Sequence, residues 1–427
     1  METPLYTALK RHWEKGRAPF HTPGHKGDLR ALPEDLLHLD FTELPDTDSL
    51  FEACGPIDAA EKAAARLFRS ARTLFSAGGC SLCIQAMLRL ACPRAGQTVL
   101  CGRNAHRSAV QTMALLGLTP VWAMPWDLEA MLSDSTRTFD ACYVTSPDYY
   151  GRLLDIPALA ALCRARGIPL LVDNAHGTHL AFLEEDLHPL HLGASMTADS
   201  AHKTLNVLTG GAFLQIGDAR FAGAAKEAMA LFGSTSPSYL IMASLDYARA
   251  WFSAHPDAYR RVPAHVAHAA ACAAARGIPN LSDDPARLTL ETAAVGLSGE
   301  EAAACFRAHG VEPEMADQAC VVCLCTPWNT ARDYARLEEA ISALPAGRAP
   351  LSPPPALPPI PPQRVPLREA LLQESRLVPL QKAVGRIAAR VVCPCPPGVP
   401  PVMPGEEITR DAAAFYEHSG IFALPVL

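Results

Sequence analysis

Lys203 lies in the segment Ser200-Ala201-His202-Lys203-Thr204, directly after the apolar run 194–198. A lysine at the end of a buried strand loses hydration, which favours the neutral amine that condenses with an aldehyde. Alone, it reads equally as a solvated loop lysine. Thirty residues earlier, Leu170-Leu171-Val172-Asp173 is an apolar strand that ends in a carboxylate. A buried carboxylate needs a cationic or hydrogen-bonded partner. Taken alone, Asp173 reads as a helix cap or turn residue. Taken together, the two residues read as a site for pyridoxal 5′-phosphate (PLP). The lysine meets the aldehyde, and the aspartate holds the protonated pyridine nitrogen so that the ring stays an electron sink.

Two further segments fit that chemistry. Ser76-Ala77-Gly78-Gly79-Cys80-Ser81 leads into a helix. Free backbone N–H groups there attract a phosphate, and glycines let the chain approach it. Gly78, Gly79, Cys80, Ser81 and Ser200 form the expected cradle, although a glycine pair alone is also an ordinary tight turn. His106, just past the strand at 98–101, is placed to lie flat on a pyridine ring; alone it is a loop histidine.

These residues need a scaffold that gathers them. Short apolar strands at 98–101, 141–145, 170–173, 194–198 and 212–216 alternate with helical stretches such as 81–90 and 156–166. That alternation predicts an α/β fold with a mostly parallel sheet, whose catalytic groups collect at the carboxyl ends of its strands. Asp58-Ala59-Ala60-Glu61 reads as a capping box opening a helix that runs to about Arg72. Residues 240–275 read as one helical stretch, and 280–345 as a smaller α+β unit. The proline-rich run 350–366 reads as an extended connector. The tail from Leu367 reads as a helix followed by a strand at 390–393.

Length and composition narrow the classes. A chain of 427 residues exceeds one ordinary core. With 49% hydrophobic and 19% charged residues it is globular, and its net charge of −7 is spread without a basic stripe, so nucleic acid is not an expected partner. No apolar run is long enough for a membrane span, and the first twelve residues do not resemble a secretory signal, so a cytoplasmic location is expected. The 14 cysteines fit reduced, buried thiols. Cys80-x-x-Cys83 and Cys320-x-x-Cys323 have zinc-ligand spacing but lack the flanking turns of such sites, and His176-x-x-His179 overlaps the PLP reading, so no metal is expected.

The ordered motifs resemble the prokaryotic ornithine/lysine/arginine decarboxylase family, fold type I PLP enzymes, in a short form without a wing domain. The resemblance rests on Thr22-Pro23-Gly24-His25-Lys26-Gly27, Thr42-Glu43-Leu44-Pro45, Arg103-Asn104-Ala105-His106 and Ser146-Pro147-Asp148-Tyr149-Tyr150-Gly151. It continues in Asp173-Asn174-Ala175-His176-Gly177, Ser200-Ala201-His202-Lys203-Thr204-Leu205, Thr235-Ser236-Pro237-Ser238-Tyr239, Pro396-Pro397-Gly398-Val399-Pro400 and Pro404-Gly405-Glu406.

The resemblance implies a fold type I transferase-like large domain with a smaller α+β C-terminal domain. The expected division is an N-terminal segment (1–55) at the active site and dimer interface, a PLP-binding domain (56–255), a small α+β region (256–345), a linker (346–366) and a C-terminal decarboxylase domain (367–427). It implies that Lys203 carries PLP as a Schiff base and later donates a proton, that Asp173 holds the pyridine nitrogen and that His106 stacks on the ring. Gly79, Cys80, Ser81, Ser200 and His202 surround the phosphate, and His176 lies near the cofactor's oxygen side. The implied reaction converts a basic amino acid (arginine first, then lysine or ornithine) to its amine and CO2, a step of polyamine biosynthesis, in a homodimer or larger homo-oligomer. Glu43, Asp46, Asp48 and Glu406 are candidates for the substrate's cationic end. The departures are in the phosphate loop, where Gly79 and Cys80 stand at positions that usually carry hydroxyls, and at Ala201 and Asn174; weaker PLP binding is expected. Transamination remains open, with Arg386 or Arg390 as carboxylate holders, as do an aldolase-like reaction and a weakened, non-catalytic relative.

Overall fold

The structure is a computed structural model that describes residues 14–28, 35–345, 348–353, 355–394 and 398–427. The N-terminal reading at 1–12 and the prolines Pro354, Pro396 and Pro397 fall wholly or partly outside these residues.

The chain enters through a short strand, β1 (Ala18–Phe20). A seven-stranded sheet follows, built from β2 (Arg72–Ser76), β3 (Thr98–Gly102), β4 (Thr119–Ala123), β5 (Ala141–Thr145), β6 (Leu170–Asp173), β7 (Met196–Asp199) and β8 (Ala212–Ile216). Its order is β2-β8-β7-β6-β5-β3-β4, and only β8 runs against the others. These strands are apolar nearly end to end because helices cover both faces. The helices α1 (Pro56–Leu67), α2 (Gly79–Ala91), α3 (Arg107–Leu116), α4 (Leu128–Ser133) and α5 (Ile156–Ala165) lie between the strands. Since six strands share a direction, the turns after β2, β3, β5, β6 and β7 open at one edge, and the start of β8 joins them there. That edge carries every chemical motif of the large domain.

Beyond the sheet, β9 (Arg287–Glu291), β11 (Met315–Ala316) and β12 (Cys320–Leu324) form a second, antiparallel sheet. The entry strand β1 pairs in parallel with β10 (Val311–Pro313), so the N-terminal segment is stitched to this smaller unit. A C-terminal unit closes on the antiparallel pair β13 (Arg376–Pro379) and β14 (Ala423–Val426) with its own apolar core.

Several local expectations are corrected. Asp58 and Glu61 do not form a capping box: α1 starts at Pro56, Asp58 pairs with Lys62 on the surface, and Glu61 turns inward to Lys226 and the Phe75 N–H. The helix ends at Leu67, which frees Arg72 to begin a strand that pattern reading missed. The 240–275 stretch is two helices, Tyr239–Ala254 and Val262–Ala274, because Pro256 disfavours helix at His255. Residues 390–393 are not a strand; Pro394 cannot continue a ladder, and the Arg390 guanidinium instead donates to the Ala370, Ala389 and Gln373 carbonyls. Most of the described cysteines are buried.

One contact joins the C-terminal unit to the sheet edge. Arg103, just after β3, grips Glu406 with both terminal nitrogens (2.8 and 2.6 Å) and donates to the Pro400 and Pro401 carbonyls. Both side chains are essentially inaccessible, at 0% and 1% exposure, so the pair is strongly desolvated and survives because every polar atom is matched. Glu406 is therefore occupied, which corrects its assignment to the substrate. Removing one partner strands a buried charge. Arg103→Met or Glu406→Met is expected to cost about 3–5 kcal/mol in urea unfolding, and the double variant less than either single change. Additive losses in the double variant would show that the pair is not coupled.

Candidate active site

The β6–β7 ladder sets the centre. Asp173 is the last residue of β6 and faces Ala198 across the ladder, so the Ser200–Lys203 turn begins beside its carboxylate. Asp173 is buried. Its Oδ2 accepts from the Tyr143 hydroxyl at 3.1 Å and its Oδ1 from the Ala175 N–H at 3.2 Å; the Cys80 sulfur stands 4.0 Å from Oδ1. No ion pair reaches Asp173 among the described residues. Burial raises its carboxyl pKa, and the nearby charges of His106 and Lys203 only partly offset this. A cationic N–H is the partner such a group lacks, so the pyridine nitrogen of PLP fits here.

Lys203 lies in the short helix α6 (Ala201–Thr204). Its Nζ lies 2.8 Å from His176 Nε2 and 5.6 Å from the centre of the Tyr149 ring. Burial lowers the lysine pKa, which favours the free amine. Burial, then Lys203 and Arg287, push the His176 imidazole well below its ordinary value, so the ring is neutral. It can then accept from Lys203, while its buried Nδ1 finds no partner among the described residues. An inward-facing polar atom of that kind fits a site that takes a polar guest.

The support beneath Lys203 is a backbone contact. Gly24 donates its N–H to the His202 carbonyl at 2.7 Å, and a Cβ at Gly24 would stand 2.5 Å from the Leu205 carbonyl oxygen. The Thr22–Gly27 motif is thus a brace for the lysine turn.

The residues read as a phosphate loop lie at the start of α2. Gly79 takes a left-handed φ of +70°, which a residue with a side chain rarely adopts. Gly78 and Ser81 line a cavity of about 210 Å3 with Gln85, Ser234, Ser236 and Ser238, so the Thr235–Tyr239 motif supplies hydroxyls that single-motif reading did not assign. His202 Nδ1 lies 3.1 Å from the Gly211 carbonyl and 3.3 Å from Ser200 Oγ. His106 caps α3 by accepting the Ser108 N–H, and its imidazole pKa is lowered by desolvation while Asp173 opposes the shift.

Asp48 does not serve the substrate: its two oxygens accept the N–H groups of Ser49, Cys54, Gly55 and Ile57, a fixed cap for the entry to α1. Glu43 bonds Thr42, and both Glu43 and Asp46 are exposed. Arg386 reaches the Leu427 carbonyl, and with Arg390 it belongs to the C-terminal unit. His179 is parted from His176: its Nε2 pairs with Asp284 at 2.9 Å. Tyr143, Tyr149 and Arg103 were unassigned. A tyrosine inside a wholly buried strand was the signal available for Tyr143, since its hydroxyl must find a partner.

Asp173 carries a stability cost. Its folded pKa is raised, so the folded state is penalised once pH rises through the unfolded value, and fully above the folded one. Asp173→Asn in the PLP-free protein is expected to raise the melting temperature at pH 7 to 8, with the gain vanishing in acid. A gain independent of pH would refute that cause. Gly24→Ala is expected to lower PLP uptake, read by cofactor titration, because backbone must move beneath Lys203.

Two family models match the chain: "Orn/Lys/Arg decarboxylase, major domain" over residues 3–271 and "Orn/Lys/Arg decarboxylase, C-terminal domain" over 360–419. Arginine decarboxylase of Bacillus subtilis (strain 168) is 28% identical over 466 residues, covering 100% of this chain and 95% of its own. Among solved structures, the constitutive lysine decarboxylase of E. coli superposes with a TM-score of 0.74 at 18% identity, covering 100% of this chain and 82% of that one. A structure of SPT with PLP gives 0.60 at 13% identity, covering 79% and 96%. The mostly parallel central sheet and the small antiparallel C-terminal sheet agree with that fold. This chain belongs to the Orn/Lys/Arg decarboxylase family, PLP-dependent amino-acid decarboxylases of fold type I.

Proposed function

We propose that the protein decarboxylates arginine, with lysine and ornithine as the next candidates, and that Lys203 is its cofactor lysine. The observation that carries this reading is the pairing of a partly buried amine, Lys203 Nζ, with a buried carboxylate that has no ion-pair partner among the described residues, Asp173. The arginine decarboxylases among the relatives support the choice of substrate.

In this reading Asp173 holds the pyridine nitrogen and His106 covers a ring face. Gly78, Gly79, Cys80, Ser81, Ser200 and His202 surround the phosphate, and His176 stands at the amine. The cofactor supplies an electron sink for the pair of electrons left when CO2 departs. The protein's own part is to hold protons and exclude water. Neutral His176 accepts the Lys203 N–H and so fixes the direction of Nζ. A lysine with a lowered pKa gives up its proton readily, and Nζ is the group placed to return one to the substrate's α-carbon. Tyr143 donates to Asp173 and keeps that carboxylate from swinging. Glycine at 79 and cysteine at 80 leave backbone N–H groups to do most of the phosphate holding.

Transamination is disfavoured by the loss of both arginines suggested for it, since Arg386 and Arg390 spend their donors on main-chain carbonyls. Glu406 and Asp48 are also engaged, so the substrate's cationic end would meet Glu43, Asp46 or a second subunit. Phe41 and Leu44, exposed beside Glu43, support an assembly of at least two copies. No helix among the described residues is long and apolar enough to cross a membrane, which is compatible with the cytoplasmic location we propose.

The test is purified protein with PLP. A visible absorption band of lysine-bound cofactor is expected, absent in Lys203→Ala, together with CO2 release fastest from arginine. A band that persists unchanged in Lys203→Ala would refute the lysine assignment. Keto-acid formation without CO2 would refute decarboxylation.

A further inference from the structure

Arg287 opens β9 in the smaller unit, yet its side chain is wholly buried and points into the large domain. Its Nη1 donates to the carbonyls of Asp148 at 2.8 Å and Tyr149 at 3.1 Å, and its Nη2 donates to the carbonyl of His176 at 3.2 Å. The guanidinium thus ties two turns that leave the sheet edge after β5 and β6. Asp284 stands behind it, with Oδ2 at 3.7 Å from Arg287 Nε and Oδ1 held by His179 at 2.9 Å. Two residues further along β9, the Thr289 hydroxyl donates to the Tyr150 carbonyl at 2.8 Å, so β9 makes three hydrogen bonds to the turn after β5.

Those two turns bear the groups that touch the reactive amine. The Tyr149 and His176 rings pack with centroids 4.6 Å apart, and Lys203 Nζ contacts both. We propose that Arg287 is a positioning residue for Lys203: its fork, backed by Asp284, fixes the turns that hold His176 and Tyr149 against the lysine amine. A planar fork can serve three carbonyls at fixed angles, which an ammonium on a flexible stem cannot. The charged and titratable groups facing Lys203 are His176, Asp173, Cys80, Glu314, His106, His202 and Arg287 itself, with the Tyr149 ring beside them. Among these, Arg287 is a cation without direct contact to the amine, so it acts through the turns and through its field. The inference rests on Lys203 being the cofactor lysine.

Arg287→Lys and Arg287→Met in the full chain separate the two effects. In PLP-free protein, reductive methylation of Lys203 is followed against pH and read on its peptide by mass spectrometry. In PLP-loaded protein, kcat and KM for CO2 release are measured. Arg287→Lys is expected to lower kcat by about 10- to 100-fold, the scale of a small misplacement of reacting groups, with KM changed far less. Its methylation curve stays near that of the parent because the charge remains. Arg287→Met is expected to lose as much kcat and to move the curve to higher pH, since a cation that disfavours the ammonium form is gone. Parental kcat in Arg287→Lys would overturn the proposal. If Arg287→Met folds, a methylation curve unmoved from the parent's would overturn it too; if it does not fold, Arg287→Lys decides alone. The methylation readout needs no cofactor, so it tests Arg287 even if Lys203 proves not to carry PLP.

Discussion

Two ionisable groups of opposite sign, Asp173 and Lys203, are taken out of water at the same sheet edge, and much of the structure answers to that constraint. Neither is given the direct partner that would stabilise it fully. Asp173 has a tyrosine, a backbone N–H and a thiol around it. Lys203 has a neutral imidazole and an aromatic face. Burial raises the pKa of the acid and lowers that of the base, so each is biased towards its neutral form. This is a costly arrangement for a folded chain alone and a suitable one for binding a cofactor that brings a cation to the aspartate and an aldehyde to the amine.

Holding that arrangement takes more than the sheet. The loops that leave a parallel sheet are its least constrained parts, and here several of the site loops are gripped from another unit. Arg103, at the base of the turn that carries His106, is clamped by Glu406 of the C-terminal unit. Arg287 of the smaller unit clamps the turns bearing Tyr149 and His176. Gly24 of the N-terminal segment backs the lysine turn from below. Both arginines are fully buried and both spend donors on main-chain carbonyls, which fixes backbone position in a way that a side-chain pair alone would not. Cysteine at 80 and glycine at 79 fit the same pattern: with side-chain hydroxyls missing, the loop depends on its backbone and hence on its supports.

Sequence by itself determined a good deal. The strands 141–145, 170–173 and 212–216 were legible to the residue, because strands buried on both faces are uninterrupted apolar runs bounded by turns. Lys203, Asp173 and the glycine pair were legible because their chemistry is local: a strand end, a loop, a helix start. The strand 72–76 was hidden by its helical neighbour, and Arg390–Cys393 imitated a strand that Pro394 cannot prolong.

Tertiary structure alone decided what the charged side chains do. Glu406, Asp48, Arg103 and Arg287 are ordinary charged residues in a string of letters, and nothing local states whether a carboxylate meets a substrate, an arginine or a row of N–H groups. Glu406 lies 303 residues from Arg103, and Arg287 lies 111 from His176. Partners at that separation are chosen by how the units pack, and desolvation, which sets both the pKa values and the strength of each contact, exists only once they have packed.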